Sequence, residues 1–175
     1  MDINAYGQTT DYAVYLDGGT NTGVATVELP KFEFVTETLS GAGLGGEVES
    51  AVVGLVKPTS VKFSFNKMTS HFIKLSAPKM HHLDLRISTQ GLDTSAGTFT
   101  NTPEKVTLRT LPKSINPGKL DTGKKRDSEL EYEVVYVKYS INGEDVLEFD
   151  KFNYKFVVDG TDYMADIRRN IGMEG

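Results

Sequence analysis

Three stretches of the sequence hold residue types that catalysis or cofactor binding requires. Gly41-Ala42-Gly43-Leu44-Gly45-Gly46 satisfies G-x-G-x-x-G, the pattern with which a strand-to-helix turn sets backbone N–H groups against a pyrophosphate. Asp121-Thr122-Gly123 spells the triplet in which two aspartates share one proton. His71, His81 and His82 are the three imidazoles of a chain without cysteine, so any nitrogen-ligated metal would fall to them. Each pattern fails on its surroundings. The glycines lead into residues 52–56 and then Pro58, not into a helix, and no carboxylate stands about 20 positions on to hold a ribose. Asp121 runs into Lys124-Lys125-Arg126-Asp127, a solvated charge cluster that shields nothing. His81 and His82 are neighbours in an alternating stretch and so leave a strand on opposite faces, and four residues past His71 stands Leu75. No catalytic residue, cofactor-binding residue or metal ligand is assigned, and no cofactor is expected.

The elements that would have to position such groups read as strands. Residues 12–16 end in Asp17-Gly18-Gly19, a turn cluster that tolerates positive φ. A second strand over residues 24–29 stops at Pro30, which marks a bend or an edge. Residues 31–34, 61–65 and the Leu83, Leu85, Ile87 set alternate with a period of two, as half-buried strands do. Residues 129–141 and 146–158 flank Asn142-Gly143, the strongest short hairpin signal. Each arm exceeds the usual 5–6 residues, so this hairpin reaches beyond a compact sandwich. Met68, Phe72 and Leu75 share one face at i, i+4, i+7, which predicts a single helix over 68–75. Two segments read as loops: 39–49, dominated by glycine, and 89–103, rich in Thr, Ser, Gly and Asn.

The 175 residues amount to one domain over 1–175, with no internal repeat and no linker. No apolar run approaches the ~20 residues of a membrane span, and the Met1-Asp2-Ile3-Asn4 start lacks the basic-then-apolar order of a signal peptide; no membrane anchor is expected. The net charge of −5 argues against tight binding of nucleic-acid backbones. That charge is segregated: residues 1–60 carry −6, residues 61–126 carry +8 and residues 127–175 carry −7. Such a split serves either compensation within one domain or head-to-tail association of copies, basic patch to acidic patch.

Several motifs, in order, carry a family resemblance. They are Tyr15-Leu16-Asp17-Gly18, Gly23-Val24-Ala25-Thr26-Val27-Glu28-Leu29-Pro30-Lys31, Gly41-Ala42-Gly43-Leu44-Gly45-Gly46, Asp121-Thr122-Gly123 and Arg168-Arg169-Asn170-Ile171-Gly172. Together they span nearly the whole chain, which resembles the major tail tube proteins of contractile-tailed bacteriophages, a family shared with R-type tailocins. The match is weakest over residues 79–116. The resemblance implies a mainly β fold: an antiparallel β-barrel or sandwich with one short flanking α-helix and an extended C-terminal hairpin. It implies a structural role without catalysis, in stacked hexameric rings that make a hollow conduit for DNA. It also implies partners: the chain itself, the tail sheath protein, a baseplate or tube initiator, and tape-measure protein and DNA in the lumen without sequence-specific binding. The location would be the virion tail, after assembly in the host cytoplasm. The alternatives are the same tube in a tailocin, leaking ions, and a β-sandwich adhesin or baseplate binding module.

Three sets of residues are then candidates for assembly. The loop with Gly41, Ala42, Gly43, Leu44, Gly45 and Gly46, flanked by Glu47 and Glu49, is expected to order at a ring-to-ring contact, since a glycine-rich segment costs much entropy to fix. Arg168, Arg169 and Asn170 are expected at a subunit boundary, where guanidinium groups hold carboxylates. Glu129, Glu131, Glu133, Glu148 and Asp150 are expected in the tube wall or lumen, where acidic groups would repel passing phosphates. Pairing symmetric about Asn142-Gly143 puts Glu148 and Asp150 on the face of Val135 and Val137, while Glu129, Glu131 and Glu133 lie across from Phe152, Tyr154 and Phe156. Neither face is then cleanly polar, and a bulge or an intersubunit contact must intervene.

Overall fold

The computed structural model describes residues 7–24 and 26–173; Met1-Asp2-Ile3-Asn4, and Ala25 of the 24–29 run, lie outside the described residues. Strands β1 (Gly7–Leu16), β2 (Thr20–Asn21), β3 (Thr26–Glu28), β4 (Phe34–Leu39), β5 (Val48–Val56) and β6 (Ser60–Phe65) precede helix α1 (Ser70–Leu75). Then follow β7 (His81–Asp93), β8 (Thr98–Asn116), β9 (Ser128–Ile141), β10 (Glu144–Asp150), β11 (Lys155–Val158), β12 (Thr161–Asp162) and helix α2 (Ala165–Asn170). Ten strands form one antiparallel sheet in the order β12-β11-β10-β9-β8-β7-β1-β2, with β6 branching from β9 and β3 from β6; β4 and β5 make a sheet of their own. β9 is the hub. Residues 128–133 pair with β6, residues 136–141 pair with β10, and β8 runs along its other edge.

The period of two is carried straight across the sheet. One apolar row runs Val14, Leu85, Val106, Tyr139; the next runs Leu16, Leu83, Leu108, Val137, Phe149, Phe156. These rows meet Val61, Phe63, Phe65, Leu130 and Tyr132 of β6 and β9 in one core, capped by Phe72 and Leu75 of α1. Each fully buried Leu or Phe contributes about 1.5–3 kcal/mol. α1 starts two residues later than its apolar period suggests, because the Thr69 hydroxyl accepts from the Phe72 N–H as an N-cap. His81 lies in the core and His82 outside it, as adjacent strand residues must.

The structure corrects four expectations from the sequence. Residues 89–103 are not a loop: Thr89 pairs with Thr102 and Asp93 with Thr98, so only residues 94–97 turn. Threonine is β-branched and favours strands even where neither face is apolar. Residues 31–33 are not in a ladder, although the Phe32 ring packs edge-on to Phe149 at 5.7 Å. The second arm of the C-terminal hairpin breaks at Asp150, whose carboxylate accepts from the Phe152 and Asn153 N–H groups, both at 3.0 Å, and turns the chain into β11. A second helix, α2, holds Arg168, Arg169 and Asn170. Too short to show a period, it is fixed at its start by the Met164 N–H donating to Asp162 (3.0 Å) and ended by Gly172 at φ +75° with the Met173 N–H returning to the Arg168 carbonyl.

Candidate assembly surfaces

β4 and β5 leave the body as an arm. All of β4 is exposed, and a two-stranded ribbon is at best marginal by itself in water. The glycine run forms its tip: Leu39 and Val48 pair, Leu44 N–H donates to Gly41 O at 3.2 Å, and Leu44 stands 49% exposed. Glu49 therefore belongs to β5, where it accepts from the Thr36 hydroxyl (2.9 Å). Further in, the ladder jumps from Thr36–Ala51 to Phe34–Val56, and the bulge between carries exposed Val35, Val52, Val53 and Leu55. This apolar arm was visible in the sequence only as an unexplained run before Pro58. Its base is docked: Phe34 meets Phe156 edge-on at 5.9 Å, and Gly54, at φ +75°, sits against buried Met164.

The five acidic candidates share one face. Bulges at Val135 and Val146 shift the phase of β9 and β10, so Glu148 pairs with Lys138 and Asp150 with Tyr136, not in step with the core residues Val137 and Phe149. Glu129, Glu131 and Glu133 alternate with Leu130, Tyr132 and Val134, which point inward. The expected bulge is present, and with its counterpart in β10 it leaves all five on the face turned from the core and moves Val137 off that face. That face is not uniformly acidic. Glu131 pairs with Lys113 (3.4 Å), Glu133 with Lys151 (2.5 Å) and Glu148 with Lys155 (2.8 Å). Arg86, Lys105, Arg109 and Lys138 of β7 to β9 line the same surface. The Arg109 guanidinium lies 4.8 Å over the Tyr136 ring, whose hydroxyl donates to Glu148 at 3.1 Å. Burial and then the Glu148 charge push the Tyr136 phenol up to about 12.

On α2, Arg168 donates to Asp162 (2.6 Å) and to the Tyr154 carbonyl (2.8 Å), which ties the helix to the β11–β12 corner. Arg169 pairs with Asp166, one turn back on an exposed surface. Among the described residues, no cluster of three or more His, Asp or Glu is placed to hold a metal, and no helix is long and apolar enough to cross a membrane.

The pattern of the phage tail tube protein FII family matches residues 8–172. The chain belongs to that family. It is 28% identical over 166 residues to the tail tube protein of Escherichia phage P2, covering 91% of this chain and 94% of the relative. Its fold resembles a chain of the sheath/tube terminator of the extracellular contractile injection system PVC in the extended state. That match has a TM-score of 0.53 at 12% identity, over 75% of this chain and 94% of the other. As a tail tube FII protein it is a structural subunit, not an enzyme. The glycine loop and the Asp-Thr-Gly triplet accordingly sit in turns: Gly43 and Gly123 both have positive φ, at +99° and +80°.

Proposed function

We propose that copies of this tail tube protein close into hexameric rings, and that the rings stack into the hollow inner tube of a contractile tail through which DNA leaves the virion. The observation that carries this reading is the β4–β5 arm, on which Val35, Val52, Val53 and Leu55 stand 37–51% exposed among the described residues, an aggregation hazard unless another copy covers them. In this assembly the tip from Gly41 to Glu47 orders against the next ring, with Leu44 as its apolar anchor. Glu129, Glu131, Glu133, Glu148 and Asp150 belong to the wall, and Arg169 and Asn170 lie at a subunit boundary while Arg168 holds α2 in place. The partners are the sheath outside, an initiator at the baseplate, and tape-measure protein and DNA within. Assembly takes place in the host cytoplasm. Electron microscopy of the purified protein tests the reading. Six-fold end views and stacked tubes are expected; particles of single-subunit mass at every concentration would overturn it.

A further inference from the structure

The arm and the α1 region are opposite in charge and alike in exposing apolar side chains. From residue 32 to residue 56 the chain has four glutamates and no basic residue; from 66 to 80 it has three lysines and no acidic one. Glu37 and Glu47 make no ion pair among the described residues, and neither do Lys67, Lys74 and Lys79. Ile73, on the outer side of α1, is 56% exposed and Met80 is 37% exposed, the counterparts of Leu39 at 50% and Leu44 at 49% on the arm. The other basic segment, residues 117–127, is compensated internally by the Lys124–Asp121 and Lys125–Asp127 pairs. It offers less to an acidic visitor.

We infer that the acidic arm of one copy docks on the α1 surface of another, with Glu37, Glu47 and Glu49 facing Lys67, Lys74 and Lys79 and with Leu39 and Leu44 covering Ile73 and Met80. This rests on the tube reading and names the surfaces that build it. Two features of one chain, distinct and complementary, make a head-to-tail contact, which propagates instead of closing on a pair. Like charges on the two arms, and on the two α1 surfaces, oppose the arm-to-arm and helix-to-helix alternatives.

Charge reversal tests it. One variant carries E37K, E47K and E49K; a second carries K67E, K74E and K79E; a third carries all six. All the substituted side chains are on the surface, and thermal melts of the unassembled proteins check folding. Each three-site variant alone is expected to assemble at least about tenfold less well than the wild type, the equivalent of about 1.4 kcal/mol. Mixing the two, or combining all six changes in one chain, is expected to restore assembly. Three-site variants that assemble like the wild type would overturn the contact, and so would folded variants whose losses neither mixing nor combination repairs. Unchanged tubes from the lysine variant that no longer co-sediment with sheath protein would assign the α1 surface to the sheath and likewise overturn it. A wild type that never forms rings or tubes would instead remove the tube reading itself.

Discussion

The Met164 sulfur occupies the space that a β-carbon on residue 54 would need: the two would lie 1.8 Å apart, and Gly54 has φ +75° besides. This contact fastens the root of the arm to the start of α2. Gly54→Ala should therefore cost roughly 2–4 kcal/mol, combining left-handed backbone strain with overpacking. Urea unfolding measures it. Adding Met164→Ala should recover the overpacking share and leave the strain, so the two substitutions will not be additive.

The Tyr132 hydroxyl donates to the Leu75 carbonyl at 2.7 Å inside the core, joining β9 to the last turn of α1. Burial pushes the phenol above its ordinary range, so it stays a donor throughout the pH range in which the protein is handled. Tyr132→Phe should lower stability by about 1–3 kcal/mol, since it leaves a buried acceptor unpaired. A change below about 0.5 kcal/mol in a thermal melt would be within the surface-substitution range and would mean that the carbonyl finds another donor.

Asp162 links pH to the seat of α2. Burial works against its charge, yet the hydrogen bonds from Arg168 and the Met164 N–H hold the carboxyl below its usual value. A group depressed in the folded state stabilises the fold above its unfolded value, about 3.9, and that contribution disappears as pH falls through the folded value. Asp162→Asn should be less stable than the wild type by roughly 1–3 kcal/mol at pH 7. The gap should narrow in acid, below the ordinary aspartate range. A gap that is constant from pH 7 to pH 2 would show that the charge is not what matters.

Amide exchange follows the arm tip. Within residues 40–47 the one described backbone hydrogen bond is Leu44 to Gly41, so these amides should exchange fast in the free subunit and slow at least about tenfold once rings stack. Equal protection in both states would remove the tip from the ring-to-ring contact. The pairing of Val137 with Phe149 in the core should be protected in both.

Much of the fold was legible because alternation is a local signal. Leu83, Leu85 and Ile87 faced inward as their spacing requires, and Asn142-Gly143, at φ +52° and +82°, made its two-residue turn. The misses have different causes. The Asp150 turn is local, its carboxylate accepting from N–H groups two and three residues on, but the long alternating run hides it; the bulges at Val135 and Val146 depend on pairing with other strands. Those bulges decide that Val137 and Phe149 face the core, away from the five carboxylates. The arm escaped for another reason: an apolar run such as 52–56 reads the same whether it is covered by its own domain or by another molecule, and only the tertiary structure shows Val52, Val53 and Leu55 exposed. The glycine loop was legible as a loop, but its position at the tip of that arm was not.

The place of β9 in the chain sets an order on folding. Strands β6, β8 and β10 all pair with it, yet its last residue is Ile141. During synthesis, the apolar faces of β1, β6, β7 and β8 must wait, partly unpaired, until the ribosome has released β9; at about 5–20 residues per second the interval between the end of β6 and the end of β9 lasts several seconds. β1 compounds the delay, since its register partners on β7 lie some seventy positions downstream, and such distant pairings are slow to find. A nascent subunit is thus most vulnerable to chaperone capture, proteolysis or mispairing before its hub strand emerges. Substitutions that weaken β9 should lower the yield of soluble subunit by more than their effect on the finished protein's stability would account for.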